Sequence, residues 1–396
     1  MYKLNRINNG TELLFTILCP FIAIPILLYG IYKQRYKDLI LLALCMSIIA
    51  MAFPPFADLY RHTLDYINFK NINDSFWIHT NGKDYIFYTI SYTFAKLDIP
   101  FEFVRGIFTL LCYLISFFLF KKVVSYDYFQ RQSPKTVFLV FLCFYLSVPF
   151  IWIVNGIRLA TAAYLLVLSW LYIYEKRYLK GIILYVLAVL LHFASVLYIP
   201  ILLITIKPIK LNNVTFITLI MLFAILGPIL ISSIPNEFLI FFSGEGSVNL
   251  YINNSYEMFS NRLSFNGLIA MYLERMPLIY LLFYCFRNNT KNRNEVYLIK
   301  TMLLLAIIYH PFLILFQKYC LMIIPVAIYL FFSNVDCITI GKIRMMTICC
   351  FILFLSYIYG YREPIYNIDF IKLFLPVFYT FFTYDTLDAI KKVVSK

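Results

Sequence analysis

Long apolar runs, separated by short polar segments rich in lysine and arginine, make up most of the chain. A membrane-spanning helix needs about 20 predominantly apolar residues, and many of the runs approach that length. The pattern therefore predicts an all-α polytopic membrane protein with about 11 spans. The candidate spans are 13–31, 39–54, 101–120, 137–154, 157–174, 213–234, 266–285, 298–315, 319–333, 345–360 and 370–384.

Composition supports a lipid-embedded chain. Of the 396 residues, 62% are hydrophobic and only 14% are charged, whereas a soluble domain has about 25% charged residues. A net charge of +14 can indicate nucleic-acid binding, but here the positive residues punctuate apolar runs, so we expect no nucleic acid. The nine cysteines form no metal-ligand pattern, and the chain has no DxD, HExxH, GxSxG or Walker A motif. We therefore expect neither a metal nor a cofactor.

The distribution of lysine and arginine among the loops predicts the orientation of the chain. Seven segments hold 21 of the 34 Lys and Arg residues and 7 of the 20 Asp and Glu residues, so their net charge equals the +14 of the whole chain. They are the loops near 32–38, 121–136, 175–180, 207–212, 286–300 and 334–344, and the tail from 385. We predict that these segments face the cytoplasm, with the N-terminus outside and the C-terminus inside. Lys3 and Arg6 are exceptions, because this orientation places them outside.

Two long polar stretches, 55–100 and 235–265, then face outward. The first contains a short apolar segment, Tyr85 to Leu97, which predicts a helix at the membrane edge. Neither stretch is large enough for a strong independent domain, so residues 1–396 are expected to form a single integral-membrane domain. In a bacterium this arrangement corresponds to the inner (cytoplasmic) membrane, with the functional side in the periplasm.

Segment 181–206 is apolar but has basic residues on both sides. If both flanks are cytoplasmic, the segment must enter the bilayer and return, and two arms of about 12 residues reach only about 18 Å each. The tip near His192 would then lie partway across, where irregular backbone persists only inside protein or beside a water-filled cavity. The alternative is a single tilted span with His192 in a helix interface.

Arg158 opens the span that runs to Tyr174, and it therefore lies at the outer end of that span. Helix N-terminal N–H groups point to the same place, so a guanidinium there is suited to hold an anion. The alternative is an arginine that extends to a lipid headgroup phosphate.

The segment from Asp58 to His62 opens the first outer stretch. If it is helical, Asp58 shares a face with Arg61 and with His62, since the spacings are three and four. The group is either a polar constellation at the rim of a cavity or a self-satisfied capping cluster.

Further charged residues are candidates for substrate binding. Glu274 and Arg275 lie inside the predicted span 266–285, and intramembrane charge is costly enough to indicate function. Adjacent residues on a helix point about 100° apart, so we expect these two not to pair with each other alone. Lys318 is expected in a short outer turn, and Arg362 in the last outer loop. With Arg61 and Arg158, these cations suit a lipid-linked phosphate or pyrophosphate.

These motifs resemble those of the EpsG-like family of Wzy-type polysaccharide polymerases. The resemblance rests on Ile153–Ala160 with its arginine, on the H-x-x-S element in Leu191–Ser195, and on Pro54–His62. Lys318 and the Tyr/Pro-rich segment Tyr359–Tyr366 are similar to later elements of the family.

The resemblance implies a membrane glycosyltransferase of the GT-C kind. It would transfer a glycan chain from undecaprenyl pyrophosphate to a hydroxyl of a lipid-linked repeat unit, and a chain-length regulator protein would be a partner. Arg158 and Arg61 would stabilise the pyrophosphate charge, and His192 would orient or deprotonate the acceptor hydroxyl. Asp58 is the alternative base, or it orients Arg61.

Other functions are compatible with parts of this pattern. A flippase for lipid-linked sugars normally has internal repeats, and none is visible here. An O-antigen ligase uses similar chemistry but tends to carry a larger outer domain between late spans. A membrane acyltransferase also uses an intramembrane histidine, but the phosphate-directed cations argue against it.

The predicted hairpin can be tested with an epitope tag inserted within residues 207–212. We expect antibody to reach the tag only after the membrane is permeabilised, because Lys207 and Lys210 keep this loop in the cytoplasm. Labelling of intact cells would contradict both the hairpin and the position of His192.

Overall fold

The computed structural model describes residues 9–55, 58–71, 84–232, 269, 272–287, 294–310 and 313–360. Every regular element within these ranges is helical, which confirms the predicted all-α class for this part of the chain. In chain order the helices are α1 (Asn9–Leu18), α2 (Pro20–Tyr32), α3 (Asp38–Met51), α4 (Asp58–Asn71), α5 (Tyr85–Lys96), α6 (Phe101–Val124), α7 (Asp127–Gln130), α8 (Pro134–Leu146), α9 (Phe150–Asn155), α10 (Ile157–Tyr174), α11 (Tyr178–Leu191), α12 (Ile199–Ile206), α13 (Asn213–Ser232), α14 (Met276–Arg287), α15 (Asn294–Tyr309), α16 (Leu313–Ser333) and α17 (Ile340–Gly360). Two 3-10 helices lie at Phe193–Tyr198 and Val335–Cys337.

Five helices of the described part are long and apolar enough to cross a membrane. They are Phe101–Val124, Pro134–Asn155, Ile157–Tyr174, Phe316–Ser333 and Ile340–Gly360. The larger number of spans predicted from the apolar runs is not confirmed, since several runs form shorter apolar helices such as α3 and α14. The predicted outer stretch 235–265 and the candidate span 370–384 lie outside the described residues.

Basic loops gather at one end of the helical bundle. Lys122 Nζ lies 2.7 Å from Glu175 Oε1, and the Tyr174 hydroxyl donates to Glu295 Oε1 at 2.9 Å. These contacts join the C-terminal ends of α6 and α10 to each other and to the start of α15. We call this end the Tyr174 end, and the opposite end of α10 the Arg158 end. The grouping of these loops agrees with the one predicted from their charge.

The segment after α10 reverses its direction, as predicted. Helix α11 ends at Leu191, and after His192 the chain returns through a 3-10 helix and α12. Its exit is fixed at the Tyr174 end, because Lys300 Nζ donates to Leu211 O and to Asn213 Oδ1, both at 2.9 Å. Asn213 also donates to Phe286 O at the end of α14. Both flanks of the segment therefore lie at the same end of the bundle, with His192 at the turn.

Helices α4 and α5 form a two-helix cap at the Arg158 end. The predicted apolar helix from Tyr85 is confirmed, and it ends at Lys96. The cap is joined by an ion pair between Lys70 and Asp98, 3.0 Å apart. It is held on α6 by Phe87, which packs against Phe101 and Phe108 of that helix.

The prediction of a single span over 13–31 is wrong. The run breaks at Cys19, and α2 begins with Pro20, which has no N–H group to continue the preceding helix. Glu12 near the start of α1 pairs with Arg35 beyond the end of α2, with 2.8 Å between Oε1 and Nη1. In one continuous helix these residues would be about 35 Å apart. Helices α1 and α2 therefore form a second hairpin, which begins and ends at the Tyr174 end.

This hairpin changes the expected orientation of the N-terminus. If the basic loops are cytoplasmic, Glu12 is also on the cytoplasmic side, since Arg35 belongs to one of those loops. An epitope tag fused at the N-terminus should then be reached only after permeabilisation, and Lys3 and Arg6 no longer violate the charge rule.

The control is the same tag inserted in the predicted outer stretch at 72–83, which should be labelled on intact cells. Labelling of an N-terminal tag on intact cells would contradict a hairpin that returns to its starting side.

Candidate active site

The carboxylate of Asp84 brings together three elements at the Arg158 end. Arg158 Nη1 donates to Asp84 Oδ2 at 2.6 Å, and the backbone N–H of Phe193 donates to Oδ1 at 2.8 Å. His192 Nδ1 lies 3.4 Å from both carboxylate oxygens. One acidic side chain from the cap thus contacts the start of α10 and the turn of the His192 hairpin. We call Asp84, Arg158 and His192 the Asp84 cluster.

Each member of the Asp84 cluster lies at the end of a helix. Asp84 immediately precedes α5 and has φ 54°, a left-handed conformation that Asp adopts at lower cost than most residues. Arg158 is the second residue of α10, as predicted, and follows Gly156, which ends α9. His192 ends α11 with extended backbone, φ −150° and ψ 109°. The chain reverses there because the next residues form a tight 3-10 helix.

A second carboxylate, Asp58 of α4, extends the site toward the surface. Its Oδ1 is 2.7 Å from Arg61, and its Oδ2 is 3.3 Å from His62 Nε2. These contacts confirm that both residues share a helix face with Asp58. Asp58 Oδ2 is also 3.8 Å from Arg158 Nη2, so the Arg158 guanidinium lies between two carboxylates. Arg61 remains largely exposed beside this pair.

Aromatic rings of α5 support the guanidinium of Arg158. Its Cζ lies 5.6 Å from the ring centre of Phe87 and 5.8 Å from that of Tyr88. Nη1 also donates to the Tyr88 hydroxyl at 3.4 Å. His62 is buried against Phe87 at 4.9 Å between ring centres. Cation–π contact and ring packing therefore restrict the orientation of Arg158 beyond its ion pairs.

Asp84 is held in its charged form. Burial alone would raise its pKa, but the hydrogen bond from His192, the charge of this ring when it is protonated at low pH, the Arg158 guanidinium and the Phe193 N–H together lower the pKa to about 2. Because this folded-state pKa is below the ordinary value of 3.8, the ion pair stabilises the fold above that pH. The stabilisation is lost as the pH falls through about 2.

Asp58 is ionised for related reasons. Burial raises its pKa, but His62, Arg158 and Arg61 lower it further, and the result is a pKa well below the usual range of a carboxyl group. Since Asp58 and Asp84 both carry negative charge, they balance the two arginines near them. The site is therefore a network of paired charges.

Several buried polar atoms of the site have no hydrogen-bond partner among the described residues. They include His192 Nε2, Arg158 Nε, Asn155 Nδ2 and Ser195 Oγ, the last from the predicted H-x-x-S element. Buried polar atoms are nearly always satisfied in native proteins. These atoms are therefore free to bond to water or to a polar ligand.

The continuous helix predicted through Glu274 and Arg275 is wrong. The two side chains form an ion pair with each other. They lie in a turn that precedes α14, and Pro277 is the second residue of that helix, so the 100° spacing of a continuous helix does not apply. Arg275 also lies over the ring of Phe316, 5.0 Å from its centre, and it lines an apolar cavity between α14 and α15.

The last two residues predicted to bind substrate are Lys318 and Arg362. Lys318 lies within α16, five residues after its start at Leu313, rather than in a turn. Its charge interacts electrostatically with His192, and its backbone carbonyl accepts a hydrogen bond from Tyr198 at 2.6 Å. Arg362 lies outside the described residues.

Sequence reasoning did not identify Asp84. Its position before an apolar helix, after Gly82 and Lys83, is typical of a helix N-cap and does not by itself indicate a site.

Within the described ranges, no three His, Cys, Asp or Glu side chains converge on a point that could hold a metal ion.

Comparison with known proteins gives one positive result. Neither a search of curated proteins nor a search of solved structures found a match. The family model described as the EpsG family matches residues 57–376, which include every residue of the Asp84 cluster. This match confirms the resemblance carried by the motifs around Arg158 and His192, and because it spans well over half of the chain, the protein belongs to the EpsG family.

Proposed function

We propose that the protein is a polysaccharide polymerase that extends a lipid-linked glycan on the outer face of the bacterial inner membrane. EpsG family membership suggests a polymerase-type glycosyltransferase of the membrane. The observation that carries the proposal is Arg158, held at a helix N-terminus between two carboxylates and linked to His192 through Asp84. The donor would be a glycan chain on undecaprenyl pyrophosphate, and the acceptor a lipid-linked repeat unit.

In the proposed reaction, the acceptor hydroxyl oxygen attacks the anomeric carbon of the donor glycan. The new glycosidic bond forms as the bond from this carbon to the pyrophosphate oxygen breaks. Undecaprenyl pyrophosphate leaves with the electron pair, and the hydroxyl proton passes to His192 Nε2 and then to solvent. The lengthened glycan stays on the lipid of the acceptor, so each cycle adds one repeat unit.

Positive charge in the site is suited to the leaving group. The guanidinium of Arg158 and the backbone N–H groups at the start of α10 would together bind the pyrophosphate. The exposed Arg61 would add a second contact, and Lys318 a third positive charge near His192. Pyrophosphate carries more negative charge than a carboxylate, so it can compete with Asp58 and Asp84 for the arginines.

His192 is better suited than Asp58 to accept the proton. A general base works best when its pKa is near the working pH. The pKa of Asp58 is lowered far below that range, so this carboxylate is a weak base. We assign to Asp58 the role of holding Arg61 and Arg158. A chain-length regulator as partner remains a prediction from the family resemblance.

Replacing Arg158 with alanine tests the proposal directly. The Arg158→Ala variant should reduce chain extension at least 100-fold, because the charge of the departing pyrophosphate loses its main partner. Surface glycan from the variant strain, separated on a gel, should show a single repeat unit in place of a ladder. The amount of glycan is compared at equal protein level in the membrane, because loss of the ion pair with Asp84 also lowers the stability of the fold.

A matched control is Arg131→Ala, which removes an exposed arginine from the opposite end of the bundle and should leave the ladder intact. A normal ladder in Arg158→Ala would refute the proposed role of this residue.

In a deletion strain, absence of all repeat units would indicate a flippase. Long chains that accumulate on the carrier lipid would indicate a ligase.

A further inference from the structure

The contacts of Asp84 carry an inference beyond its ion pair with Arg158. We propose that Asp84 is a positioning residue that holds His192 in the tautomer with the proton on Nδ1 and the lone pair on Nε2. The importance of this tautomer for catalysis rests on the proposed function, because only this tautomer lets Nε2 accept a proton from an acceptor hydroxyl.

The chemistry of the carboxylate selects the tautomer. Asp84 is ionised and can only accept hydrogen bonds, so the ring nitrogen facing it must carry the proton. That nitrogen is Nδ1, which lies 3.4 Å from both oxygens. In a neutral imidazole the other nitrogen is then an acceptor. Nε2 is enclosed and has no partner among the described residues, so no acceptor there favours the other tautomer, in which Nε2 carries the proton.

The same carboxylate also holds the backbone beside the ring. The Phe193 N–H donates to Oδ1 at 2.8 Å, at the residue where α11 gives way to the 3-10 helix. Asp84 therefore restrains both the position of the turn and the ring that the turn presents. A carboxylate that only neutralised Arg158 would not need this contact.

The ion pair with Arg158 fixes the carboxylate in turn. Asp84 Oδ2 accepts from Arg158 at 2.6 Å, while Oδ1 accepts from the backbone, so both oxygens have a strong partner. An asparagine at this position has one acceptor oxygen and one donor nitrogen. It cannot satisfy Arg158, the Phe193 N–H and a protonated Nδ1 together.

The tautomer of His192 can be observed by nitrogen NMR. The chain has four histidines, so protein labelled with ¹⁵N-histidine in lipid bilayers gives few signals, and His192→Gln identifies the one from His192. In the wild-type protein at neutral pH, we expect His192 to show a protonated Nδ1 and an unprotonated Nε2. In Asp84→Asn, the signal should shift toward the other tautomer, and chain extension should fall about 10- to 100-fold.

Asp98→Asn is the matched control. Asp98 follows the other end of α5, also has a left-handed backbone (φ 52°), and forms an exposed ion pair with Lys70. This variant should keep both the wild-type His192 signal and the wild-type glycan ladder.

Two results would overturn the inference: a protonated Nε2 at His192 in the wild-type protein, or an unchanged tautomer in Asp84→Asn. The first measurement does not need Asp84→Asn, so it decides the question even if that variant does not fold. The NMR result is also independent of polymerisation. If the tautomer is as expected but Arg158→Ala makes normal ladders, the proposed function fails while the positioning role of Asp84 stands.

Discussion

The pairing of Asp84 with Arg158 is the interaction on which the site depends. Both side chains are largely buried, and a charge removed from water must be paired or it strongly destabilises the fold. Removing one partner of such a pair costs roughly 3–5 kcal/mol, because the other charge is left uncompensated. This constraint keeps the α4–α5 cap over the start of α10. The turn of the His192 hairpin then meets the same carboxylate.

Contacts close in sequence were predictable, and distant ones were not. The faces shared by Asp58, Arg61 and His62 follow from helical periodicity over three and four residues. The reversal at His192 follows from basic residues on both flanks of an apolar segment that is too short to cross twice. Asp84, by contrast, is 74 residues from Arg158 and 108 from His192. Nothing local to Asp84 distinguishes it from an ordinary helix cap.

Two predictions failed because an apolar run was treated as one continuous helix. Proline interrupts both runs: Pro20 begins α2, and Pro277 is the second residue of α14. A break at either place changes which side chains can meet. Glu12 thereby contacts the loop beyond α2, and the adjacent Glu274 and Arg275 can form a pair within a turn. Mean hydropathy over a window does not register such breaks, because each flanking segment remains apolar.

The hairpin that carries His192 is anchored at its base, where Lys300 binds Leu211 and Asn213, and its height is set by the 14 residues of α11. Adding one residue to that arm would raise the ring by about 1.5 Å and rotate it by about 100°, away from Asp84. Most of the outer surface of α11 is exposed and apolar, so exchanges among leucine, isoleucine and valine there should be tolerated. During evolution the apolar residues of α11 can therefore be substituted for one another, while insertions and deletions within the helix should be eliminated by selection.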